Sequence, residues 1–310
     1  MKVRIGSIAN SIRIVYQHYK INRATSDSMA SSQSTTTPDT SGRRELLIVG
    51  GGVAGLTAAT FTARAGIETT VINDGETVLR RNAHLENIPG FPAGVNPRRF
   101  ADMLRAQATR NGAEYQTGSV TDLTGDSEGF TATIAGGQAS SDAEADSETD
   151  DDTEPTRELT ADRVIAASFP DADYLGGFDI DIRNTDGKQY AEAGELGRTG
   201  VEGLYIAGRL AERYHQAVIA AGDGAEAAIT LIHDSDIPFY NDWVAPEGYW
   251  TDRDREVPPG CEEIDPTEQR ARQEAAMAAM QEYFAAPHDQ PQRTFPSLVD
   301  DEHNRLDWEP

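Results

Sequence analysis

The sequence predicts an α/β protein built on a Rossmann-type domain, a parallel sheet with helices plus a small β-meander, with a C-terminal extension. Three observations carry this expectation. A continuous apolar run, Leu46 to Val49, reads as a strand buried on both faces. The glycines Gly50, Gly52 and Gly55 follow it at once and open a helical stretch, Thr57 to Ala65, that Gly66 ends. A second strand-like run, Thr69 to Ile72, then leads to polar Asn73 and acidic Asp74.

Each part of this unit has a physical reason. Gly50 permits the tight turn out of the strand. Gly52 has no Cβ, so a pyrophosphate can approach the backbone, and Gly55 lets the helix lie close to the strand. The helix start, with Val53 and Ala54, offers free N–H groups and a partial positive charge to phosphates. The polar group after the second strand, about 20 residues on, is placed to meet ribose hydroxyls. Asn73 stands where Glu is usual and Asp74 follows it, and the residues leave the choice between them open. A glycine-rich turn in an ordinary α/β protein would leave the spacing of three glycines unexplained, so the unit is read as dinucleotide-binding.

Composition narrows the class. The chain of 310 residues has a net charge of −25, and only Lys2, Lys20 and Lys188 are lysines among 27 basic residues. That combination predicts a salt-adapted, cytoplasmic protein whose carboxylate surface is screened by salt. It argues against a nucleic-acid partner. No apolar run approaches the roughly 18 residues that would span a bilayer. The single cysteine, Cys261, allows no disulfide framework and no Cys-rich metal site within this chain.

Taken in order, residues 1–42 read as a flexible segment, basic at its start and rich in Ser and Thr later. A flexible tail and a true translation start at Met29 explain it equally well. Residues 43–234 form the predicted nucleotide-binding domain. Within it, Glu86 to Pro92 is a rigid loop with two prolines and a glycine. Asn96 caps a helix that has Pro97 at its first position and ends at Asn111-Gly112, with Phe100, Met103, Leu104 and Ala108 on its inward stripe. Strand-like pieces follow at Glu114 to Val120, Phe130 to Ile134 and Arg157 to Ala167. The acidic loop 138–156 reads as a solvated hairpin connection rather than a metal site, because like charges repel and nothing apolar is there to pack. Val201 to Gly208 is a turn and a strand, leading to Arg209 and a helix from about Gln216 to Ile232. Gly222 and Gly224 inside that helix suggest close approach of a backbone or a ligand. Residues 235–310 form an extension with aromatics between Phe239 and Trp250 and a helix from about Pro266 to Ala285. Ala271, Ala275, Met277, Ala278 and Met280 give that helix a weak apolar face, and the extension is expected to dock on the main domain and restrict access to its ligand.

Two segments together resemble the FAD domain of low-molecular-weight thioredoxin reductases. Leu46 to about Val120, with the glycine loop and Asn87-Ile88-Pro89-Gly90-Phe91-Pro92, looks like its first half. Thr199 to Gly208, then His215-Gln216-Ala217 and Ala220 to Gly224, looks like its second. The resemblance covers roughly half of the chain and implies bound FAD. ADP would lie on the Gly50 loop, and the flavin near Gly208, Arg209, His215, Gln216 and Ala217. The helix starting near Gln216 would aim its positive end at the flavin pyrimidine ring. Departures accompany the match. The family carries an inserted NADPH domain and a redox CxxC, which this sequence does not show between the two halves. Where the family has an Asp that holds the ribityl chain, this chain has Arg209, which would face a phosphate or solvent. His215 lines the flavin or is a surface histidine, and Arg198 has no claim beyond proximity.

The expectation is therefore an FAD-dependent oxidoreductase that is not a dithiol–disulfide reductase. The alternative is a non-catalytic flavin- or dinucleotide-binding module that senses redox state or partners another chain. NAD(P)H or another electron donor, and a homodimer, are left open as partners. No catalytic acid, base or nucleophile is singled out, and no metal site.

Overall fold

The computed structural model describes residues 44–75, 77–137 and 155–290. The expectations for residues 1–42, for nearly all of the acidic loop and for the chain beyond residue 290 lie outside that set.

The central strand β1 (Arg44–Val49) pairs in parallel with β2 (Thr69–Asn73) on one side and with β6 (Thr156–Ala166) on the other. β3 (Glu114–Thr117) extends the parallel sheet beyond β2, and β9 (Leu204–Ile206) pairs in parallel with β6. β4 (Ser119–Asp126) and β5 (Gly129–Ala135) form an antiparallel meander that joins the first half of the long strand β6. Among the described residues one seven-stranded sheet results, in the order β3-β2-β1-β6-β5-β4 with β9 beside β6. The α/β class and the Rossmann-type arrangement are those expected from the sequence.

Alternation along β1 explains the layers. Leu46 and Ile48 face the helix layer, α1 (Val53–Arg64) and α3 (Ala217–His233). Leu47 and Val49 face the opposite side, with Leu123, Ile134, Leu175 and Leu210. Leu46, Leu47 and Ile48 are wholly buried, each contributing about 1.5–3 kcal/mol of hydrophobic stabilisation. α2 (Pro97–Arg110) is capped by the Asn96 side chain, which accepts from the Arg98 and Arg99 N–H groups. Its buried positions are Pro97, Arg98, Ala101 and Ala108, while Phe100, Met103 and Leu104 are half-buried.

Three sequence expectations change in detail. The stretch Glu114 to Val120 is two strands, because Gly118 at φ +154° breaks them; a Cβ there would lie 2.6 Å from Ile134. β4 continues to Asp126, where alternating polar residues hide a strand exposed on one face. Gly222 and Gly224 differ: a Cβ at Gly224 would lie 2.1 Å from the Ala54 carbonyl, whereas Gly222 faces open space.

The segment after α3 folds back on the helix layer. Ile237 and Phe239 pack against the core around Leu231 and Ile232. Arg64 holds Asp242 through two hydrogen bonds of 2.5 and 2.6 Å. β10 (Trp243–Pro246) and β11 (Cys261–Ile264) make a small parallel sheet beside which Trp243, Tyr249 and Trp250 meet edge to face. α4 (Pro266–Tyr283) has no buried residue; its half-buried positions are Arg272, Ala275, Ala279 and Tyr283, of which only Ala275 belongs to the expected stripe. Met277 and Met280 are exposed, because polar contacts hold the helix instead: Arg272 pairs with Glu262 and Glu268. After it, Phe284 meets Phe91 and Arg99, and His288 bonds Asp102 at 2.8 Å.

Candidate functional site

β1 delivers the chain to Gly50, which turns at φ +108° and donates to the Ile72 carbonyl at 2.8 Å. A Cβ there would sit 2.6 Å from the Ala167 carbonyl, so glycine is required. Gly55 is required too, since a Cβ would lie 2.0 Å from the Gly50 carbonyl. Gly52 is different: its backbone is extended and a Cβ would meet nothing within 4 Å. The first two glycines are demanded by packing, and the third leaves space for something that is not protein.

That space is a cavity of about 870 Å³, at the upper end of the range for cofactor sites. Gly50, Gly52, Val53 and Ala54 line it at the start of α1, whose first turn has neither a side-chain cap nor an acid. Gln216, Ala217 and Ala220 line it at the start of α3, equally without a side-chain cap or an acid. Two positive helix ends with unsatisfied N–H groups therefore meet one cavity. The Gln216 amide is drawn away from the cap position, since its Oε1 accepts from Asn87 Nδ2 at 2.7 Å.

Asn73 and Asp74 both line the cavity. Asn73 is 7% exposed; its Oδ1 accepts from the Gly51 N–H at 2.8 Å, while its Nδ2 is buried without a partner. Asp74 is exposed. Thr77, in the next turn, also lines the cavity and has a buried hydroxyl without a partner.

Arg209 does not simply meet solvent. Its guanidinium donates to the Arg213 carbonyl at 2.9 Å and to the Tyr190 hydroxyl at 3.0 Å, and lies 5.5 Å from the Phe169 ring centre. Its Nε is buried without a partner, and the residue lines the cavity. Gly208, at φ +75°, donates its N–H to Asp223 at 2.6 Å, and Asp223 is ion-paired with Arg213. His215 is on the cavity wall. Burial first, then the charges of Arg209, Lys188 and Arg81, hold its imidazolium below the usual pKa, so the ring is neutral at neutral pH.

Arg198 belongs elsewhere: it pairs with Asp234 at 2.7 and 2.8 Å beyond the end of α3, where Tyr205 also donates to Asp234. The described part of the extension does not cover the cavity: among the described residues, none beyond Ala220 lines it. Phe239 packs against the helix layer and Trp243, Tyr249 and Trp250 meet one another, so within this single chain the described residues show no restriction of access. Sequence reasoning missed Asp223, Tyr190, Phe169 and Thr77. Only Asp223, inside the quoted Ala220 to Gly224 segment, stood near a signal; the others come from turns and a hairpin, β7 (Ile182–Thr185) and β8 (Lys188–Ala191), with no motif of their own. Among the described residues, no group of three or more His, Cys, Asp or Glu side chains could hold a metal, and no helix is long and apolar enough to cross a membrane.

Residues 44–168 match the family model described as pyridine nucleotide-disulphide oxidoreductase. The chain is 42% identical over 88 residues to thioredoxin reductase of Streptomyces clavuligerus, covering 27% of each protein. It is 40% identical over 86 residues to thioredoxin reductase of Aquifex aeolicus, covering 26% of this chain and 27% of that one. The chain thus aligns with about a quarter of the length of the curated relatives it matches. Among solved structures, the oxidoreductase from Agrobacterium tumefaciens superposes with a TM-score of 0.50 at 16% identity, over 62% of this chain and 98% of that one, a likeness of fold.

Proposed function

We propose that this chain is an FAD-binding oxidoreductase similar to the FAD domain of thioredoxin reductases, acting without an intramolecular redox dithiol. The observation that carries it is the open position at Gly52 beside an uncapped α1 N-terminus, in a cavity that the α3 N-terminus also enters. The residues present fit the group. Gly52, Val53 and Ala54 would hold the pyrophosphate by backbone N–H groups. Asn73 and Thr77 would meet the adenosine ribose, and both now have orphaned polar atoms. Gln216 and Ala217 would place the α3 dipole against the far end, with Arg209 and neutral His215 on the wall. When bound, FAD supplies the electron-transfer chemistry, and the chain supplies position and electrostatics.

Purification in high KCl followed by absorption spectroscopy and cofactor extraction tests the reading: a yellow protein releasing close to one FAD per chain is expected, and a colourless protein from which extraction yields none overturns it. NADH or NADPH, or another donor, would reduce it, and a homodimer is compatible with the exposed extension.

One observation favours a second reading, a non-catalytic flavin module. The one cysteine, Cys261, sits in β11 with its Sγ donating to the Asn241 carbonyl, and no thiol lines the cavity. Anaerobic titration separates the two readings. Bleaching by NAD(P)H at a rate that supports turnover indicates the enzyme, and an inert flavin indicates the module. In either case the pure chain should not reduce thioredoxin through a dithiol of its own.

A further inference from the structure

We propose that Arg209 is a fixed, unneutralised cation that sets the redox poise of the cavity, stabilising a bound flavin more once reduction has made it an anion. This rests on the FAD reading of the cavity and goes beyond it.

The guanidinium is clamped. It donates to the Arg213 carbonyl at 2.9 Å and to the Tyr190 hydroxyl at 3.0 Å. Its central carbon lies 5.5 Å from the Phe169 ring centre and 5.2 Å from that of Tyr190, so two rings flank it. The residue is half-buried and lines the cavity, as does His215. An arginine stays charged in every such setting, and this one is not free to swing out to water.

No carboxylate cancels the charge. Among the described residues Arg209 has no ion pair with an acid, and the nearby acids are engaged by other arginines. Glu212, the next acid in the chain, pairs with Arg183. Asp223, which accepts from the neighbouring Gly208 N–H, pairs with Arg213. The field of Arg209 is felt on the cavity wall. Burial first, and then the Arg209 charge, with smaller contributions from Lys188 and Arg81, hold the His215 imidazolium below its usual pKa.

Two electrons and one proton, supplied by NAD(P)H or another donor, turn a neutral oxidised flavin into a reduced form with one negative charge. A cation already fixed on the wall stabilises that form, leaves the neutral one nearly unaffected, and needs no rearrangement to do so. The α3 N-terminus acts in the same sense. Arg209 is the part of this field that one substitution removes.

The test uses the full chain in high KCl. The midpoint potential of bound FAD is read by dye equilibration, and the His215 titration is followed by NMR in chain stripped of flavin. Arg209→Gln should lower the reduced-to-oxidised ratio about tenfold at a given potential, a fall of about 30 mV for a two-electron couple. In the flavin-free chain it should move the His215 titration upward. Arg209→Lys keeps the charge and should recover most of the fall, and Arg255→Gln, which removes a charge from the exposed extension, should leave the potential unchanged. Should Arg209→Gln release its flavin, the affinities for oxidised and dithionite-reduced FAD are compared instead: a loss about tenfold greater for the reduced form supports the proposal, and equal losses overturn it. A potential that Gln leaves unchanged, or that Gln and Lys lower alike, would mean that Arg209 only braces the turn to Arg213, and the proposal falls. An unmoved His215 titration also overturns it and leaves the FAD reading standing. If the wild-type chain binds no FAD, both fall.

Discussion

The glycine-loop region and the C-terminal extension are built by different physics. Around the loop, backbones are pressed together. Gly55 lets α1 lie against the Gly50 carbonyl, and Gly224 lets α3 lie against the Ala54 carbonyl, with allowances of 2.0 and 2.1 Å for a Cβ that is not there. Behind them are side chains with no exposure at all, Leu46, Ile48 and Leu231 among them. The extension is assembled from side-chain contacts: the Arg64–Asp242 pair, Arg99 on Phe284, His288 on Asp102 and the Trp243–Tyr249–Trp250 cluster. Steric contacts tolerate nothing and ignore salt. Exposed ion pairs yield about 0–1 kcal/mol each and respond to it. The glycine-loop end of the cavity lies within the first kind of structure, so function there is tied to positions where a single added carbon atom is decisive.

The sharpest way to break this contrast is a substitution at the helix crossing. Gly224→Val would drive side-chain atoms into the Ala54 carbonyl and should cost about 3 kcal/mol or more. Gly222→Ala, two positions away and in open space, should instead stabilise by up to about 1 kcal/mol through helix propensity. Denaturation in high KCl reads both, and equal effects of the two would show that the α1–α3 contact is not as close as described.

Gly52→Val separates folding from binding within the same loop. The extended backbone accepts Val and its Cβ has no protein atom within 4 Å, so the melting temperature should hold within about 2 °C. The side chain fills the pyrophosphate position, and bound cofactor should be lost. Full cofactor content in this variant would move the site away from the glycine loop.

Truncation after Ser235 addresses the other region. Ile237, Phe239 and the Arg64–Asp242 pair lose their packing, a cost of about 2 kcal/mol that should lower the melting temperature by roughly 4–8 °C. Because no cavity residue among those described lies beyond Ala220, cofactor content should not change. Loss of cofactor on truncation would tie the extension to the site after all. Salt sharpens the same difference. With a net charge of −25, the melting temperature of the full chain should climb with KCl as the Debye length shrinks from about 10 Å at 0.1 M to about 3 Å at 1 M. A flat curve would leave the acidic composition without a role in stability.

How legible each region was in the sequence follows the same division. The strand, the glycines, the Asn96 cap and the α3 start were readable because local residue chemistry dictates them: a buried parallel strand must be apolar, and a turn at φ +108° must be glycine. The site was readable where backbone makes it. It was not readable where side chains from distant turns make it. Nothing in the spacing of Phe169, Tyr190 and Arg209 says that two rings will flank a guanidinium. Nor does the identity of Asn73 say that one end of its amide is spent on Gly51. α4 was located correctly by its Asp265 cap and Pro266, yet its inward face was mostly misread, since a helix held by arginine pairs does not show its contact face as an apolar stripe.

The smallest expected effect lies in the extension and depends on pH. Glu263, on β11, accepts hydrogen bonds from the N–H groups of Gly248, Trp250 and Thr251 and from the Thr251 hydroxyl, and so closes the turn that carries Tyr249 and Trp250. Burial alone would raise its pKa, but the bonds from Trp250 and Thr251 and then Gly248 outweigh it and bring the carboxyl from 4.5 down to about 2. A carboxyl whose folded value is depressed contributes stability above its unfolded pKa and loses it as pH falls towards the folded one. The contribution of Glu263 is therefore complete at neutral pH and fades between about 4.5 and 2. Tryptophan fluorescence should report the aromatic cluster loosening in that window while cofactor content, set in the other region, stays constant through its upper part. Glu263→Gln removes the titrating group, so this fluorescence change should vanish and the cluster should be weakened equally at all pH values. An unchanged acid transition in Glu263→Gln would assign the turn's acid sensitivity to another group.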